Sequence, residues 1–209
     1  MAQIKIQGTA QWAKVFEPDT KYVPEGQYSI KVVMPVEQAA QVCEQLDSMA
    51  QAKLEEVVKE QPKLKPLLST VPAYTTEYDD AGNDTGNVVF NTKLKAVLTR
   101  RDGTKVSQRP LVVDAKRTPM DGSVLIGNGS NVKVAIEPYP YMMPATKSVG
   151  VSLRMKGVQV IDLVAYGASA TSIFDEEDGY VSDAVAKDNN SDIFNEVDGE
   201  SDVENEGDF

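Results

Sequence analysis

The chain has 209 residues, 41% hydrophobic and 25% charged, and its 32 Asp+Glu against 21 Lys+Arg give a formal charge of −11. It has no His and one Cys, which excludes imidazole metal sites, His-based acid–base catalysis, an intrachain disulfide and a thiolate metal cluster. No segment approaches the roughly 20 apolar residues of a membrane-spanning helix. The N-terminus MAQIKIQGTA also lacks a signal peptide's apolar run, so a soluble, cytoplasmic protein without cofactors is expected.

Residues 4–10 predict a short strand, and Gln27–Met34 a better one, because Tyr28, Ile30 and Val32 alternate with polar neighbours. After Pro35 the period changes. Ala39, Val42, Cys43, Leu46, Met49, Ala50, Leu54 and Val57 recur at spacings of three and four, which predicts a helix over about 36–61, stopped by Pro62. Cys43 lies on the apolar stripe and reads as a small buried hydrophobe. Residues 63–87 carry little regular signal beyond turn chemistry at 79–86.

From Val88 the chain reads as strands: VVFNTKLKAVLT, a hairpin turn at Arg101–Asp102–Gly103–Thr104, then KVSQRPLVVDA. Phe90, Thr92, Leu94, Ala96 and Leu98 share one parity, which turns Lys93 and Lys95 away from the core. Gly127–Asn128–Gly129 reads as a turn between strands, since it lacks the G-x-G-x-x-G and Lys–Ser/Thr features of a nucleotide loop. NVKVAIEP resumes alternation. The EPYPYMMP run that overlaps it holds three prolines, which argue against a strand interior, so Tyr139 and Tyr141 are expected on or beside a loop at the mouth of the sheet. A last long strand spans about 148–166, with a bulge allowed at Gly157. Beta architecture with one prominent helix results.

Beyond Phe174 the composition shifts. Residues 175–209 hold 1 basic and 14 acidic side chains, a net of −13, with few aliphatics, and end on Asp208–Phe209. Such a segment buries too little apolar area to offset its ordering entropy, so an acidic disordered tail following a folded domain over 1–174 is expected. Residues 1–87 have 8 basic and 13 acidic side chains, whereas residues 88–161 have 12 and 4, a net of +8. The acidity of the chain therefore belongs to its tail, and its strand-rich half is basic.

The candidate groove cations are Lys93, Lys95, Arg100, Arg101, Lys105, Arg109, Lys133 and Arg154. Tyr139 and Tyr141 are candidate stacking rings, and Trp12 and Phe16, flanking Lys14, are either a second platform or a plug for the barrel end. Phosphate neutralisation along a track, with rings on which bases stack, is what a nonspecific single-strand binder requires. The carboxylates Asp102, Asp114, Asp121 and Asp162 offer a metal nuclease as an alternative, but none has the spacing of a metal loop. A further alternative is an acidic interaction protein that never touches DNA. It leaves the +8 segment without a purpose.

The chain also resembles the single-stranded DNA-binding proteins of T7-like bacteriophages, most strongly over Leu111–Gly167. The shared elements are LVVDAKRTPM, IGNGSNVKV, EPYPY, SVGVSLRMKGVQVIDLVAYG and the acidic terminus ending in Asp208–Phe209. The family can have an uninterrupted Gly run where this chain has Gly127–Asn128–Gly129. The resemblance implies an oligonucleotide-binding fold, a five-stranded barrel with an inserted helix. It further implies single-stranded DNA binding without sequence preference, a homodimer, and roles in phage replication, recombination and repair inside the host cytoplasm. Its implied partners are a phage DNA polymerase and a helicase–primase, engaged through the tail and the terminal aromatic Phe209.

Overall fold

Strand β1 (Ile4–Asp19) opens the fold and pairs on one side with β2 (Gln27–Pro35) and on the other with β9 (Asn131–Met143). The computed structural model describes residues 3–100 and 102–166. Between β2 and β9 come helix α1 (Val36–Glu60), a 3₁₀ turn (Pro62–Leu67), β3 (Ser69–Val71), β4 (Tyr74–Tyr78) and β5 (Asp84–Lys95). The hairpin strands β6 (Val97–Thr99) and β7 (Lys105–Ser107) and then β8 (Leu111–Val113) follow, and β10 (Ser148–Asp162) closes the described chain.

Five of these strands make a closed barrel. β1 pairs with β2, β2 with β5, β5 with β10, β10 with β9, and β9 returns to β1. All these contacts are antiparallel except β5–β10, which is parallel and rests on one residue pair, Lys93 opposite Arg154. This is the oligonucleotide-binding fold. Beyond that pair, the segment Ser69–Tyr78 bridges the two strands: β3 runs parallel to β10 and β4 antiparallel to β5.

Alternation decides which side chains fill the barrel. Tyr28, Ile30, Val32 and Met34 of β2 meet Phe90 and Leu94 of β5, and Val132, Val134 and Ile136 of β9 meet Leu153, Met155 and Val158 of β10. Thr92 is fully buried among them and satisfies its hydroxyl by donating to the Ile30 carbonyl at 3.0 Å. Helix α1 ends within a residue of the expected bounds and buries Ala39, Cys43, Leu46, Ala50 and Val57. Cys43 is buried as expected, and burial pushes its thiol pKa up. Tyr74 ties β4 to this helix by donating to Asp47 Oδ2 at 2.8 Å; burial first, then that carboxylate, push its phenol up to about 12.

Four expectations need correction. The first strand is 16 residues long instead of 7, because β9 and β2 pair with different parts of it. KVSQRPLVVDA is broken into β7 and β8 around Pro110, and Leu98 sits exposed on the hairpin. Residues 63–87 contain most of the 3₁₀ turn, β3, β4 and the start of β5. The largest correction concerns Tyr139 and Tyr141, which lie within strand β9 despite the prolines around them, although β9 ends two residues beyond Tyr141. β1 begins at Ile4, opposite Ile136, so β9 beyond that point pairs with β10 alone. Pro138 and Pro140 share a parity, and a strand with one free edge tolerates missing donors on that edge.

The bulge at Gly157 forms as expected. The β9–β10 register slips between Met155 and Gly157, leaving Lys156 as the extra residue. A Cβ at Gly157 would lie 2.8 Å from the Leu111 carbonyl oxygen, so β8 reaches β10 only because that Cβ is absent.

Candidate nucleic-acid interface

The outward parity of the barrel strands assembles a polar row. Across the sheet, Lys14 of β1 stands opposite Ser29 of β2, Ser29 opposite Lys93 of β5, Lys93 opposite Arg154 of β10, and Arg154 opposite Glu137 of β9. Diagonally beyond Glu137 lies Tyr139, and the Arg154 guanidinium carbon sits 5.3 Å from its ring centroid. Tyr139 is 45% exposed, so the residue remains accessible to a ligand beside Arg154. Lys156, thrown outward by the bulge, is 2.8 Å from Glu137 Oε2. The hydrogen bond from Lys156 holds the Glu137 carboxyl below its usual range, so this carboxylate stays ionised and is neutralised within the row.

The structure brings together only part of the expected cation set. Lys93 and Arg154 adjoin, and Lys95 is exposed at the end of the same strand. Arg100 is exposed on the β6–β7 hairpin, which docks beside the β1–β2 loop where Ala96 N–H donates to the Gly26 carbonyl at 2.9 Å. Lys105 on that hairpin is already paired with Glu25 at 3.1 Å. Arg109 donates through Nη2 to the Phe16 carbonyl at 3.3 Å, tying the chain after β7 to β1. Lys133 lies six residues from Tyr139 along β9, about 20 Å away, and does not join the row. Arg101, Asp208 and Phe209 lie outside the described residues.

Trp12 and Phe16 part company. Phe16 is buried in the core, with its ring 3.0 Å from where a Cβ on Gly122 would stand, so it offers no open platform for a base. Trp12 sits at an irregularity of β1 between Gln11 and Lys14, with φ +52. That left-handed conformation costs a non-glycine residue roughly 1 kcal/mol or more. The N–H of Trp12 donates to Asn128 Oδ1 at 2.8 Å, and the ring is left 67% exposed.

Lys14, Ser29 and Lys31 escaped the sequence reading, although the signal was present. The alternation that buries Tyr28, Ile30 and Val32 turns Ser29 and Lys31 outward, and antiparallel pairing sets Ser29 beside Lys93 and Lys31 beside Asn91.

Comparison with known proteins follows the same line. A family model described as "Single-stranded DNA-binding protein, Bacteriophage T7" matches residues 7–163. The chain belongs to this family. It is 28% identical over 134 residues to the single-stranded DNA-binding protein of Escherichia phage T7, a match covering 63% of this chain and 55% of that protein. The chain thus spans little more than half the length of that curated relative. The crystal structure of gp2.5, a single-stranded DNA-binding protein encoded by bacteriophage T7, aligns with a TM-score of 0.65 at 22% identity, covering 87% of this chain and 98% of that one. That likeness supports the barrel assignment. The single-stranded DNA-binding protein from bacteriophage Enc34, solved in complex with ssDNA, aligns with a TM-score of 0.47 at 16% identity, covering 85% and 89%.

Within this T7-type family the exposure beside Arg154 singles out Tyr139 over Tyr141. Tyr141 is half-buried, with its hydroxyl 3.0 Å from where a Cβ on Gly150 would stand. Tyr139→Ala is expected to weaken single-strand affinity by ~1–3 kcal/mol, the worth of one stacked base, and Tyr141→Ala by less. Tyrosine fluorescence quenching on adding poly(dT) checks both; normal binding by Tyr139→Ala would make the ring incidental.

Proposed function

We propose that this protein binds single-stranded DNA without strong sequence preference and serves phage DNA replication, recombination and repair in the host cytoplasm, as a homodimer. The observation that carries the reading is the Lys93–Arg154–Tyr139 cluster, two cations and an exposed tyrosine side by side on the outer face of an oligonucleotide-binding barrel. Phosphates enter along Lys14, Lys93, Lys95 and Arg154 and release counterions. Bases then stack on Tyr139 and Trp12, a contact indifferent to base identity. Residues 1–174 form the binding domain, and 175–209, with a net charge of −13, compete with DNA for the basic face. DNA displaces that segment and frees Asp208–Phe209 for a phage DNA polymerase or helicase–primase.

The carboxylates weigh against nuclease chemistry, because each is engaged locally. Asp102 Oδ1 accepts from Thr104 N–H at 2.9 Å, Asp114 Oδ1 from Thr118 N–H at 2.7 Å and Asp121 Oδ1 from Ser123 N–H at 2.9 Å. These backbone donors hold all three carboxyls below their usual range, as turn-capping groups. Asp162 Oδ2 accepts from Asn131 Nδ2 at 3.2 Å.

The test is a salt-dependent titration of the full chain and of residues 1–174 with labelled single-stranded and duplex DNA. Both proteins should prefer the single strand, with log K falling linearly in log salt. Undetectable binding by 1–174 at low salt would favour an acidic interaction protein instead.

A further inference from the structure

Beside the Lys93–Arg154 row, the β4–β5 hairpin curls over the outer face and encloses a groove of about 640 Å³, lined in part by Gln11, Lys31, Glu77, Tyr78, Asp80 and Asn91. Glu77 closes it. Its Oε1 accepts from Gln11 Nε2 at 3.0 Å, linking β4 to β1 across β5 and β2. Its Oε2 accepts from Thr85 Oγ1 and Asn87 Nδ2, both at 3.0 Å. These hydrogen bonds, that of Asn87 first, hold the carboxyl below its usual range, so Glu77 is an anion at neutral pH. A carboxylate offers about four acceptor sites, and the three donors leave one for a ligand.

The charge of this groove is the reverse of its neighbour's. Among the six residues named, two carboxylates outnumber the one cation, so a phosphate is unwelcome inside it. Yet the groove is continuous with the phosphate row: Lys31 and Asn91 are register partners, and Lys93 lies two residues along β5 from Asn91, about 7 Å away. One nucleotide can therefore leave its phosphate on the row and turn its base into the groove. The base edge that suits a carboxylate is one with an exocyclic amine, as cytosine has and thymine lacks. Tyr78, 63% exposed at the wall, offers that base a ring face.

We propose that the groove is a nucleobase subsite that favours amino-bearing bases, cytosine over thymine, through Glu77 and Asp80, and so imposes a local base preference on an otherwise sequence-tolerant strand binder. This inference rests on the single-strand reading above. Glu77→Gln and Asp80→Asn remove the anionic acceptor and keep the side-chain shape. Asp80 is exposed in the β4–β5 turn, so its replacement leaves the fold intact. The full chain and both variants are titrated with oligo(dC) and oligo(dT) of equal length at one salt concentration. Removing a negative charge strengthens binding to both oligonucleotides alike, and the ratio of the two affinities cancels that effect.

The expected result is a shift of the dC-to-dT affinity ratio toward dT by about threefold or more in each variant, the worth of one hydrogen bond. An unchanged ratio in both variants, with both oligonucleotides still bound, overturns the subsite and leaves the single-strand reading standing. Failure of the unaltered chain to bind either oligonucleotide overturns both.

Discussion

Reversing two charges, Lys93→Glu with Arg154→Glu, is expected to lower single-stranded DNA affinity by about 100-fold or more. A charge-assisted hydrogen bond is worth about 1.5–3 kcal/mol, so two lost phosphate contacts cost about 3–6 kcal/mol before any repulsion is added. The slope of log K against log salt should fall by about 1.4, since each single-strand phosphate contact contributes about 0.7. The same loss should appear with every base composition, because these residues read charge. Lys105→Glu is the internal comparison. Lys105 carries the same formal charge as Lys93 but is paired with Glu25 at 3.1 Å, and should change affinity far less. Neither Lys93 nor Arg154 belongs to the buried core, so circular dichroism and thermal melting should stay close to those of the parent. If the double reversal leaves affinity and slope unchanged, the outer face of β5 and β10 is not the phosphate track.

That comparison shows where residue counting stops being informative. The +8 of residues 88–161 treats Lys105, Arg109 and Arg154 as equals. In the fold, one is neutralised by Glu25, one holds the Phe16 carbonyl, and one faces an exposed tyrosine. Partners for the first two come from residues 16 and 25, far away in sequence, and composition has no access to them. Elements whose causes are local were legible. Helix α1 needed only its three-and-four spacing and two bracketing prolines, and the outward turn of Lys93 and Lys95 needed only the period of two. The strand through EPYPYMM was not legible, because its prolines are tolerated only past the first residue of β1, where β9 has no partner on that side. That is a fact about where another strand begins. The Arg154–Tyr139 contact likewise depends on the β9–β10 register, and the β5–β10 closure on a single pair whose members lie 61 residues apart in the sequence.

Removing residues 175–209 is expected to tighten single-stranded DNA binding by about tenfold at low salt. The segment carries a net −13, and the outer face presents Lys14, Lys93, Lys95 and Arg154. A tethered competitor acts at an effective concentration on the order of a millimolar, so an affinity of only about 0.1 mM for the basic face weakens DNA binding about tenfold. The gain should shrink as salt rises, because the screening length falls from about 30 Å at 0.01 M to about 8 Å at physiological ionic strength. Deleting Phe209 alone separates charge from anchoring. It removes one ring and leaves all 14 acidic side chains of the segment, so DNA affinity should stay within about twofold of the parent, below the worth of one hydrogen bond. Binding to the replicative polymerase or helicase should fall, since charge guides a segment to a basic patch whereas a buried aromatic holds it there. The measurement is paired: single-strand titration and polymerase binding by surface plasmon resonance on the full chain, the Phe209 deletion and residues 1–174. Weaker DNA binding by 1–174 than by the full chain at low salt would end the competition mechanism. Polymerase binding that survives loss of Phe209 would leave the segment acting through charge alone.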